Sequence, residues 1–76
     1  MRSLGLPNRK ERKKIFEIHI AKRRKSDLSN IDLDMLVSKT EGYSGADIEG
    51  VVKDAVENTF ADDKTSLSTD YIISSI

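Results

Sequence analysis

The stretch "TEGYSGADIEGVVKDAVENTF", Thr40 to Phe60, decides how this chain is read. From Ile48 onward, Val51, Val52, Ala55, Val56, Thr59 and Phe60 recur at the three- and four-residue spacing of one helix face, without a gap. Ser44 stands where that helix needs an N-cap. Its hydroxyl can accept the Asp47 amide, and the Asp47 carboxylate can take the Ser44 amide in return, a capping box with Asp in place of Glu. Gly42 reads as the left-handed residue that ends the preceding helix, with Tyr43 folding back over its last turn. Gly45 and Ala46 are different: capping permits them but does not ask for them, and they open the helix with almost no side chain.

Working outward, Asn8 and Glu11 form a second capping box, and helix 1 is expected from Arg9 to Arg24. Its apolar residues Ile15, Phe16, Ile18 and Ile20 spread over one broad face, and at 100° per residue His19 falls between Ile15 and Phe16, looking inward. Ser26 to Asn30 read as a polar connection. Asp32 then caps a short helix carrying Leu33, Leu36, Val37 and Thr40. After the charged link Ala61 to Ser66, Ser68 or Thr69 caps a last short helix with Tyr71, Ile72, Ile73 and Ile76. No segment alternates as a strand. The expected architecture is all-α, a compact bundle of three helices plus a short fourth.

The composition narrows the function. With 76 residues the chain is one small domain, too short for a large catalytic core, and it has no Cys and a single His. That removes disulfides and thiolate metal sites, and His19 cannot build a metal cluster alone. No apolar run approaches the roughly 20 residues that span a bilayer, so an intracellular, cytoplasmic location is the expectation. The formal net charge of zero hides a polarity: residues 1–25 hold ten Lys/Arg against Glu11 and Glu17, a net of +8, and residues 26–76 hold three Lys against eleven Asp/Glu, a net of −8.

Enzyme machinery is not visible. There is no GxxxxGK[ST] phosphate loop, HExxH or GxSxG, and Asp27, Asp32, Asp34, Asp47, Asp62 and Asp63 read as caps or loop residues. No catalytic or metal-binding residue is assigned. What a plain bundle does not require is an inward His19 together with a bare Gly45-Ala46 helix start. Together they suggest a flat apolar slot, imidazole and Ile15 on one wall and exposed helix amides on the other, suited to a planar ring with polar edges.

At these residues the sequence resembles a known family. "LPNRKERKKIFEIHIAKRR" followed by "IDLDMLVSKTEGYSGADIEGVVKDAV" is similar to the C-terminal helical lid subdomain of AAA-type ATPases, from Leu6 to Ile76. The motifs that carry the likeness are Leu6, Pro7 and Arg12, the Ile18-His19 pair, Gly42 to Asp47, and Asp54-Ala55. The resemblance implies a lid over the adenine and ribose of ATP or ADP, with Ile15, Ile18, His19, Gly45 and Ala46 as the nucleotide-facing set. It also implies that Ala46 replaces a phosphate-sensing arginine, and that the phosphate loop, magnesium ligands and arginine finger belong to a larger α/β subdomain of the same parent chain. Neighbouring subunits of a hexameric ring and protein substrates are the implied partners, with the basic surface of helix 1 (Arg9, Lys10, Lys13, Lys14) facing an acidic neighbour. Residues 1–5, "MRSLG", do not match the family's usual segment and are read as a linker or cloning remnant. Two other readings of the residues stand beside this one: a small basic nucleic-acid-binding module, and a protein-interaction adaptor bundle.

Overall fold

A computed structural model describes residues 6–76; the linker reading of residues 1–5 lies outside it. Four helices follow in order: α1, Arg9–Arg24; α2, Leu33–Ser38; α3, Gly45–Ala61; and α4, Thr69–Ser75. Among the described residues there is no strand, and no helix is long and apolar enough to cross a membrane.

The local signals act where expected. Asn8 Oδ1 accepts the Glu11 amide and Glu11 Oε1 accepts the Asn8 amide, both at 2.8 Å, which fixes the first turn of α1. The Ser44/Asp47 box closes at 3.1 and 3.0 Å. Asp32 Oδ1 accepts the Met35 amide at 3.1 Å and starts α2. At α4 the expected cap takes another form. Ser68 makes no side-chain cap bond, and the Thr69 hydroxyl accepts the Asp32 amide at 2.9 Å instead, joining the start of α4 to the start of α2.

The core gathers Phe16 and Ile20 from α1, Leu36 and Val37 from α2, Ile48, Val52 and Ala55 from α3, and Ile72 from α4. α3 packs against both α1 and α4, while α2 lies on α1. Each large side chain fully removed from water here contributes about 1.5–3 kcal/mol. Ile31 and Leu67, outside the α-helices, are also buried, and the helical patterns did not point to them.

Five expectations are corrected by this packing. Ile18 is 51% exposed rather than on the apolar face, because it lies two residues from both Phe16 and Ile20, about 160° around the helix from each. Phe60 is 58% exposed. The row Val52, Val56, Phe60 advances four residues at a time, and each step rotates about 40°, so the three pass from buried through half-buried to exposed. Ser26 to Asn30 is not a plain polar connection but part of a 3-10 helix, Lys25–Asn30, and its Asp27 is buried. Asp27 therefore is no mere cap or loop acid.

The fifth concerns Gly42. It does not end α2, which stops at Ser38 with Lys39 as its C-cap. The Tyr43 amide donates to the Thr40 carbonyl at 3.0 Å, so Thr40 to Tyr43 form a β-turn with Gly42 at its third position and φ +87°. A turn with positive φ there favours glycine. Tyr43 then reaches the other end of the chain, its hydroxyl donating to the Ile76 carbonyl at 2.9 Å.

Candidate functional site

The edge where α1 meets the start of α3 assembles part of the slot expected from the sequence. A Cβ built on Gly45 would lie 3.7 Å from Ile15 Cδ1, so the bare first residue of α3 faces Ile15 directly. That distance is an ordinary contact, and the chain's own packing would accept a side chain. The missing Cβ leaves surface open beside Ile15 and is not forced by crowding. Ala46 is exposed next to it.

One turn after Ile15 comes His19, half-buried, with its Nδ1 shielded from solvent and without a hydrogen-bond partner among the described residues. A buried imidazole nitrogen left unpaired carries a desolvation cost that a partner would relieve. The Ser44/Asp47 box satisfies the amides of those two residues, and the first α-helical bond of α3 comes from the Ile48 amide to the Ser44 carbonyl at 3.1 Å. The Gly45 and Ala46 amides thus sit in the first turn, where a helix offers donors and the positive end of its dipole. Ile18 stands on the outer side of α1, half exposed, away from the core side of that helix.

For a planar heterocycle with polar edges these groups fit: Ile15 and the Gly45-Ala46 backbone give flat contact surface, and His19 Nδ1 supplies one buried polar atom. They offer nothing for a metal. Among the described residues no group of three or more His, Cys, Asp or Glu gathers as a metal site.

A second polar cluster was missed by sequence reasoning. Asp27 is 6% exposed, and its Oδ2 accepts both the Leu67 amide and Arg24 Nε at 2.9 Å. The Leu67 amide first, and then the Arg24 guanidinium, hold its carboxyl below the ordinary aspartate range. Arg24 also donates to the Thr65 carbonyl and lies over the Phe60 ring, 5.4 Å from its centroid. Similarly, Arg12 is buried and donates to the carbonyls of Pro7 at 3.2 Å and Val37 at 3.1 Å. Lys13 pairs with Asp34 at 3.5 Å. Three cations of the basic segment therefore serve the fold. A separation of 40 residues between Asp27 and Leu67 leaves no local signature by which the sequence could announce the pair.

Comparison with known proteins identifies the family. The sequence model of the AAA+ lid domain family matches residues 30–74. The chain is 40% identical over 73 residues to an uncharacterized AAA domain-containing protein of Gracilaria tenuistipitata var. liui, covering 96% of this chain and 15% of that protein. It is 45% identical over 53 residues to vacuolar protein sorting-associated protein 4 of Dictyostelium discoideum, covering 70% of this chain and 12% of that one. It is 35% identical over 71 residues to the proteasome-activating nucleotidase of Saccharolobus solfataricus, covering 93% and 18% respectively. The chain spans less than a fifth of the length of each of these relatives.

Proposed function

The chain belongs to the AAA+ lid domain family, and from that premise we propose that it is the nucleotide-responsive lid of an ATPase, closing over the adenine and ribose of ATP or ADP. The observation that carries this reading is the placement of a bare Gly45 against Ile15, with the unpaired His19 Nδ1 one turn away. In this reading Ile15 and the Gly45-Ala46 backbone sandwich the base from its edge, and His19 accepts or donates one hydrogen bond to it or to the sugar. Ile18 belongs to the same set as a residue flanking His19 on the outer side of α1.

ATP, with magnesium held by a larger subdomain of the parent chain, supplies the phosphoryl chemistry; this chain's residues bind, orient and shield. A ligand that interacts differently with the lid in its different phosphate states tilts the lid as a rigid body, and the shift is limited by that difference in affinity. The packed core and the Arg24–Asp27 cluster keep the bundle stiff enough to pass such a tilt on. The parent assembly is proposed as a cytoplasmic hexameric ring that remodels or unfolds proteins. The names of two relatives above, a vacuolar protein sorting-associated protein and a proteasome-activating nucleotidase, support a protein substrate.

Titration of the 76-residue chain with ADP, followed by amide shifts, tests the site. Because most phosphate contacts are absent, the dissociation constant should be on the order of 1 mM, and the shifts should be confined to Ile15, His19, Gly45, Ala46 and their immediate neighbours. A micromolar constant would contradict the division of labour, and shifts spread along α4 would contradict the site.

A further inference from the structure

The outer face of α1, opposite the core, carries Lys14, Ile18 and Lys22 at four-residue intervals, all exposed, and among the described residues neither lysine forms an ion pair with this chain. An isoleucine half open to water between two free cations is poorly placed for an isolated domain. The outer face of α3 shows the counterpart. Asp47, Gly50 and Asp54 are all exposed along it, with Glu57 beside them. Gly50 is the clue: a glycine inside a helix costs about 1 kcal/mol against alanine, yet a Cβ there would meet nothing within 4 Å. Nothing inside the chain explains the missing side chain.

We propose that the outer face of α1 docks onto the outer face of α3 in a second copy of this chain, with Ile18 seated over Gly50. At 1.5 Å per residue, Lys14 and Lys22 stand about 12 Å apart and Asp47 and Asp54 about 10.5 Å apart, each pair with its apolar or bare residue at or near the middle. The two stripes are similar in length and opposite in charge. Asp47 uses Oδ2 on the Ser44 amide and keeps Oδ1 for a lysine. With a formal net charge of zero, no overall repulsion opposes the approach of two copies. The contact is heterologous, because the donor and acceptor faces are different, so it propagates head to tail. It rests on charge, spacing and exposure, and shares Ile18 with the proposed nucleotide-facing set.

One helix-on-helix contact falls short of the roughly 1,000 Å² that a stable complex buries, so the association is weak and belongs to high concentration or to subunits already held side by side. Sedimentation equilibrium of the 76-residue chain should show reversible self-association that weakens by at least about tenfold between low and high salt. Lys14→Glu with Lys22→Glu, and separately Asp54→Lys with Glu57→Lys, should each abolish it. Mixing the two reversed variants should restore association, since the native α1 face of one meets the native α3 face of the other. Gly50→Leu, at a site open inside the chain, should keep the helical circular dichroism and lose the association. A chain that stays monomeric at millimolar concentration, or that associates regardless of salt and of both reversals, overturns the proposal. So does tighter binding of the Lys14/Lys22 face to a short DNA duplex than to a second copy.

Discussion

Two polar regions of this small bundle are built to opposite specifications. At the Arg24–Asp27 corner the buried carboxylate is satisfied: one of its oxygens takes an amide and a guanidinium, and that guanidinium reaches on to Thr65 and Phe60. At the Ile15–Gly45 edge the chain leaves His19 Nδ1 unpaired and α3 without a first side chain. A satisfied buried network rigidifies the fold, whereas an unpaired buried group carries a desolvation cost that a partner from outside the chain would relieve. The first region holds the fold and the second is the site proposed above for the nucleotide, and substitutions should separate them.

The largest effect belongs to Asp27. Asp27→Ala strands the Leu67 amide and frees Arg24, and should cost about 3 kcal/mol in urea unfolding. The same group sets an acid limit. Its carboxyl is depressed in the folded state, so its contribution is fully present above the ordinary aspartate value of 3.8 and is lost as pH falls through the lower folded value. Asp27→Ala should flatten that acid limb, and an unchanged limb would break the comparison at its structural end.

Gly45→Ala should do the reverse. Its Cβ makes only an ordinary contact with Ile15, so unfolding should shift by no more than about 0.5 kcal/mol, while nucleotide affinity of the parent ATPase should fall about tenfold, or about 1.4 kcal/mol. Equal losses in both measurements would make Gly45 a packing residue. For His19, replacement by leucine removes a buried unpaired nitrogen and should leave stability unchanged or raise it by up to about 1 kcal/mol, again with weaker nucleotide binding in the parent. Marked destabilisation would mean that the imidazole is already satisfied.

The smallest effect tests whether partners matter when water reaches them. The Tyr71 hydroxyl donates to Asp62 Oδ2 at 2.7 Å near the same corner, but on the surface. That bond raises the phenol above its ordinary value of 10.0, so its contribution is present below that pH and lost as pH rises through the folded value. An ultraviolet titration should show Tyr71 ionising later than in Asp62→Ala, with no resolved change in unfolding at neutral pH.

The chain's local rules were legible as written: Asn8/Glu11, Asp32 and Ser44/Asp47 mark helix starts because a cap and its target lie three residues apart. The apolar row from Ile48 to Thr59 needs only one helical period, and Gly45 with Ala46 were visible as side chains that capping did not require. Ile18 is the exception: the broad-face reading set it with the apolar residues, although its angle to Phe16 and Ile20 turns it outward. Tertiary structure alone decided the rest. Gly42 could cap a helix or turn a loop by the same positive φ, and only the point where α2 stops chose the turn. Arg12 with Val37, Asp27 with Leu67 and Tyr43 with Ile76 pair across 25, 40 and 33 residues. A carboxylate reads alike in sequence whether water or a distant amide solvates it, and folding is what brings the amide there.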